Sequence, residues 1–190
     1  MPYLLVIFGA LVNLAFTSTY IWQTLRGKTK PNKVTFLLWS IAPAIGAVAA
    51  FENGVMWPAL AVFVAALCPF LIFLASFVNP NAHWRLTPLD YICGGLSLAA
   101  LALWYVTHEP VIAILFAILS DAFATFPTLM KAWKYPETES ALSYFGSTIN
   151  ALTGLLAAQS WTFSAVAFPM YLFIAMGLTG IGAMRKGRIV

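Results

Sequence analysis

One carboxylate stands in the middle of a long apolar run. Asp121 is followed at i+4 and i+7 by Thr125 and Thr128 in ILSDAFATFPTLM. On a helix those spacings put the three side chains along one face. An acid in such surroundings either carries a proton that comes and goes or contacts a cation or a donor on a substrate. The plainer alternative is a protonated acid hydrogen-bonded to Ser120, Thr125 or a neighbouring helix. A second polar stripe comes from Asn13, Thr17, Tyr20 and Thr24, spaced i, i+4, i+7, i+11, and a third from Ser143, Ser147 and Asn150. Their amides and hydroxyls suit a solute bearing hydroxyls, and suit equally well hydrogen bonds between helices. Trp39 and Tyr144 add flat aromatic faces, for stacking on a ligand or for packing and interface anchoring. The expected substrate contacts are therefore Asn13, Thr17, Trp39, Asp121, Thr125, Tyr144, Ser147 and Asn150, with Asp121 also the expected proton-coupling group.

These residues need a scaffold that holds polar groups in an apolar medium, and the composition supplies one. The chain has 190 residues, 62% hydrophobic and 8% charged, too little polar surface for a soluble domain of this size. Seven apolar runs near bilayer length can be drawn, at about 3–25, 34–51, 56–78, 87–106, 110–130, 141–158 and 161–184. An integral membrane protein of the cell (inner) membrane is expected. Arg26, Lys28, Lys30 and Lys33 fall in the first inter-run loop, Arg85 in the third, Lys131 and Lys134 in the fifth, and Arg185, Lys186 and Arg188 after the last run. All ten basic residues are thereby assigned to one face. The positive-inside rule makes that face cytoplasmic, with the N-terminus outside and the C-terminus inside. The net charge of +4 then reports topology and contact with anionic lipid headgroups, and nucleic-acid binding is not expected. No basic residue precedes the first run, and its end, YIWQTLRGK, has no small-residue cleavage site, so the first span is expected to be retained.

A shift of 105 positions lays RGKTKPNKVTFLLWSIAP, from Arg26, on KAWKYPETESALSYFGST, from Lys131. Pro31 meets Pro136, Thr35 meets Ser140, Leu37 meets Leu142 and Trp39 meets Tyr144. This is a weak internal repeat. Three helices end on the side opposite to where they began, so a second unit of the same orientation needs one extra crossing. The expected fold is all-α, with seven transmembrane helices forming two parallel three-helix repeats. The first repeat is 1–78, the loop and linker helix four are 79–106, and the second repeat is 107–190. Pro43, Pro69, Pro127 and Pro169 lie inside four of the runs, where each removes a backbone donor, and they are the expected hinges. Gly146 and Gly154 are expected to let another helix approach the sixth. Glu137 and Glu139 are expected to cap that helix at its start.

With these features on hand, the chain resembles the PQ-loop superfamily, which includes the SWEET and SemiSWEET sugar transporters and the KDEL receptors. The family places a Pro-Gln pair in the first helix of each repeat, ahead of a basic loop. Here the 105-residue register sets Trp22-Gln23 opposite Pro127-Thr128, and FPTLMKAWKYPETESALSYF looks like the family's fifth helix, basic loop and sixth-helix start. The resemblance implies two three-helix bundles facing each other across a central cavity. The asparagines that line SWEET sugar sites on helices three and seven have no counterparts here.

An enzyme is not expected. His83 and His108 are assigned to opposite faces and cannot share a metal, and neither a glycine-rich phosphate loop nor a serine elbow is visible. No cofactor or metal is expected, and a homo-oligomer remains open. The expected function is transport of a small polar solute by alternating access between the two repeats, with possible proton coupling through Asp121. The alternative is a ligand-binding receptor or sensor on the same seven-helix scaffold.

Overall fold

The computed structural model describes residues 2–52, 56–107, 110–158 and 161–185. Asn53, Gly54, His108, Lys186 and Arg188 lie outside the described residues. Among the described residues there are seven α-helices: α1 (Pro2–Leu25), α2 (Lys33–Glu52), α3 (Met56–Ala75), α4 (Pro88–Val106), α5 (Pro110–Lys134), α6 (Ala141–Leu156) and α7 (Phe163–Met184). Short 3-10 turns at Pro80–Ala82 and Pro136–Thr138 precede α4 and α6, and no strand occurs among the described residues. Leu4–Leu25, Pro88–Val106, Ile114–Lys134 and Val166–Met184 are long and apolar enough to cross a membrane, which fits an integral membrane protein.

Local sequence fixes the helix ends. Gly27 sits at φ 70°, a left-handed conformation open to glycine, and closes α1 with Gly27 N–H donating to Thr24 O and Lys28 N–H to Gln23 O. A Cβ at Gly27 would also lie 2.8 Å from Asn81 Cβ. Asn32 opens α2, its Oδ1 accepting from the Val34 and Thr35 amides at 3.1 and 3.4 Å. Pro88 begins α4, where Asp90 Oδ2 accepts from the Thr87 amide and hydroxyl at 2.5 and 2.7 Å. Two ends depart from the sequence reading. The third helix stops at Ala75, where the chain turns through Ser76 and Phe77, and the fifth continues to Lys134, which takes Lys131 out of a loop and into the last helical turn.

The helices pack in a regular pattern. α3 lies against both α1 and α2, and α7 lies against both α5 and α6. Between these groups α1 packs on α6 and α2 on α5, while α4 leans on α5 and α2. Close approach on the α1–α6 side depends on small residues. A Cβ on Gly9 would lie 2.0 Å from Thr153 Oγ1, and one on Gly146 would lie 2.9 Å from Phe16 Cβ. Gly154 departs from its expected role: nothing lies within 4 Å of where its Cβ would be.

Polarity is arranged inside out. Thr17, Thr24, Thr35, Ser97, Thr128 and Thr179 are buried, whereas Phe8, Leu11, Ile92, Leu98 and Ile174 are exposed. Water would penalise so much exposed apolar surface, and lipid would not. The buried apolar cluster, including Tyr20, Phe36, Ile72, Ala132, Tyr144 and Met176, draws on α1, α2, α3, α5, α6 and α7 toward the end of the bundle that carries the basic loops.

Candidate functional site

The α5 helix brings Asp121 to the centre of the bundle, about midway between its ends. Tyr171 of α7 donates its hydroxyl to Asp121 Oδ2 at 2.7 Å, and Thr125, one turn along α5, donates to the same oxygen at 3.0 Å. The Trp39 indole of α2 donates in turn to Thr125 Oγ1 at 3.1 Å. The carboxylate is thus oriented by α7 directly and by α2 through one hydroxyl. Among the described residues none donates to Asp121 Oδ1, and no buried side-chain nitrogen or oxygen lacks a partner. Oδ1 is therefore left facing a cavity that Asp121 lines.

The cavity has a volume of about 130 Å³, several times what one water needs. Asn13, Thr17, Trp39, Asp121, Tyr144, Ser147 and Asn150 all line it. The remaining expected contact, Thr125, does not line this cavity but holds Asp121 and Trp39 in place. The walls come from α1, α2, α3, α5, α6 and α7. Ser147 donates to Asn13 Oδ1 at 3.1 Å, joining the stripes of α1 and α6. Tyr144 contributes its ring only, because its hydroxyl is turned away toward Glu139. Pro43 and Pro69 stand in the same wall. All four expected hinge prolines sit within helices, Pro43 in α2, Pro69 in α3, Pro127 in α5 and Pro169 in α7.

A second cavity of about 430 Å³ shares Trp39, Asp121, Asn150 and Phe168 with the first. Val6, Leu101, Trp104, Gly154 and Pro169 extend it toward the end of the bundle opposite the basic loops. Here Gly154 leaves room that a side chain would fill. At the other end the path is blocked. Beyond Phe36, Ile72 and Tyr144 lies a polar cluster that sequence reasoning missed. Glu139 is fully buried, its Oε2 accepting from Tyr20 and Tyr144, each at 2.6 Å, and its Oε1 paired with Lys131 Nζ at 2.5 Å. Lys131 also donates to the Lys30 carbonyl and lies 4.5 Å from the Trp84 ring centroid. Glu139 precedes Ser140, the N-cap residue of α6, and its carboxylate meets side chains, so it is not the helix cap the sequence suggested.

The α2–α5 contact carries its own hydrogen bonds. Thr35 donates to the Ala124 carbonyl at 2.8 Å and Thr128 donates to Thr35 Oγ1 at 2.9 Å, beside Pro127, which lies inside α5 and lacks a backbone donor. Lys30 N–H donates to Thr138 O at 2.9 Å, so the loop before α2 touches the loop before α6. Cation–aromatic contacts ring the same end: Lys33 is 4.0 Å from the Phe77 centroid, Arg26 is 4.4 Å from Trp22 and Arg185 is 5.1 Å from Trp133. No family model matches the chain, and neither a curated protein nor a solved structure does.

Proposed function

We propose that the protein is a membrane transporter of a small polar solute, working by alternating access between residues 1–78 and 107–190. The reading takes α1–α3 and α5–α7 as two like-oriented repeats of a PQ-loop type, with α4 as the linker crossing. It places the basic loops at the cytoplasmic face of the cell (inner) membrane, against anionic headgroups. The packing supports this: exchanging α1 with α5, α2 with α6 and α3 with α7 turns the α1–α6 contact into the α2–α5 contact and keeps the set of neighbours among these six helices, with α4, packed on α5 and α2, outside the symmetry.

The observation that carries the proposal is the mid-bundle cavity, whose walls come from both repeats and whose polar groups surround Asp121. A solute held there touches both halves, so its binding energy can favour one relative position of the halves over another. On this reading the structure is outward-facing. The larger cavity leads to the non-basic end, and the Lys131–Glu139 cluster closes the cytoplasmic side. Asp121 is the substrate or proton contact, and Pro43, Pro69, Pro127 and Pro169 are the points at which helices bend.

Uptake into proteoliposomes, driven by a solute gradient with and without a proton gradient, tests the proposal. The wild-type chain should accumulate at least one small polar solute, and Asp121→Asn should abolish that flux or its proton dependence. Solute binding without any flux would instead identify a receptor on the same scaffold. Unchanged uptake and pH dependence in Asp121→Asn would remove Asp121 from the mechanism.

A further inference from the structure

Resting on the solute-binding reading above, and naming its substrate class, we infer that the mid-bundle site takes a small organic cation, an amine or ammonium compound with a short polar arm. Charge is the first reason. Asp121 is the sole ionisable carboxylate or base in the described lining of either cavity. The other buried acids have dedicated partners: Glu139 has Lys131, Tyr20 and Tyr144, and Asp90 has Asn32 and Thr87. Asp121 has two hydroxyl donors converging on Oδ2 and an open Oδ1. A cationic N–H group that reaches Oδ1 gives the carboxylate a charge-assisted hydrogen bond and a countercharge together.

The rest of the wall discriminates among cations. Trp39 and Phe168 border both cavities beside Asp121, and aromatic faces attract an ammonium group while accommodating its carbon atoms. A bare divalent metal needs several oxygen ligands, and among the described residues no group of three His, Cys, Asp or Glu side chains is placed to hold one. An anionic solute meets Asp121 with like charge. The amides of Asn13 and Asn150, in the same lining, suit a hydroxyl or carbonyl elsewhere on the molecule.

The experiment uses matched triplets: amino alcohols of two, three and four carbons, the diols of the same lengths, and the hydroxy acids of the same lengths. Binding to the full-length chain in detergent is read by thermal shift and calorimetry, and flux is read in proteoliposomes. The amino alcohols should bind at least about tenfold more tightly than the diols, and the hydroxy acids least. Asp121→Asn should erase the preference of amino alcohol over diol, whereas Asp121→Glu, which retains the carboxylate, should keep it. Size-exclusion profiles of both variants check that the fold survives. Diols or hydroxy acids binding as tightly as amino alcohols overturn the inference, as do no amino alcohol binding at all or an unaltered preference in Asp121→Asn. Flux of diols without amino-alcohol binding leaves the transporter and removes the cation site. Amino-alcohol binding without flux does the reverse.

Discussion

Lys131 and Glu139 face each other across the junction of α5 and α6, Nζ to Oε1 2.5 Å, with side chains 2% and 0% exposed. A buried pair of this kind is costly to break from one side, because the partner left behind is an uncompensated charge. Glu139→Gln or Lys131→Met should each destabilise the protein by about 3–5 kcal/mol. The double variant should recover much of the loss. Chemical denaturation in detergent, run as a double-mutant cycle, checks this.

Tyr20 and Tyr144 donate to one oxygen of Glu139 from helices far apart in sequence. Each hydroxyl is a hydrogen bond to a charged group, worth about 1.5–3 kcal/mol. Tyr20→Phe and Tyr144→Phe should each cost that order of stability, and the double variant should cost more than their sum, since each hydroxyl partly covers for the other at the shared acceptor. Because the cluster closes the cytoplasmic side in the proposed cycle, both variants should also raise cytoplasmic-side labelling of a cysteine placed at Ser143. Melting curves and thiol-labelling rates in inverted vesicles give the two readouts.

The glycines separate contact from mere presence. Gly9→Ala forces a Cβ into Thr153 Oγ1 and toward Asn150 Cα and should destabilise by about 1–3 kcal/mol, whereas Gly154→Ala faces open space and should be close to neutral. Thermal denaturation of the two variants side by side decides. Equal effects would mean that α1 and α6 are not in close contact.

Asn32 performs two tasks with one amide. Its oxygen caps α2 and its nitrogen donates to Asp90 Oδ1 at 2.5 Å. Asn32→Ser should keep the cap and lose the Asp90 bond, and Asn32→Ala should lose both. The Ala variant should fall below the Ser variant by about 0.5–2 kcal/mol, the range for a helix cap, in equilibrium unfolding.

The inner polar residues were legible because an amide, hydroxyl or carboxylate in an apolar run has few places to go. Asn13, Thr17, Ser147, Asn150 and Asp121 announced an inward face, and the structure brings them to one cavity. The cluster at Glu139 was not legible. Glu137 and Glu139 stand two residues apart in the same polar loop, yet Glu137 is exposed and Glu139 wholly buried. Sequence distance does not distinguish them: Tyr144 and Lys131 stand 5 and 8 positions from Glu139 and about as near to Glu137, and the third partner, Tyr20, lies 119 positions away. Lys131 misled for the same reason: a lysine at the end of an apolar run normally reports which side of a bilayer it lies on, and here it is also a buried partner. Pattern within a segment reveals the face of a helix, while the identity of a distant partner depends on packing.

The sequence marks the fourth helix as a linker, and its fastenings give it more to do. Near its start Asp90 is tied to Asn32 of α2, and farther along Ser120 of α5 donates to the Ser97 carbonyl at 2.9 Å. Any slide of α2 past α5 must therefore strip one of these moorings or drag α4 along with it. In the proposed cycle the helix acts as a stay between two masts: it limits how far they lean apart, and shortening or loosening it should change the stroke rather than the berth.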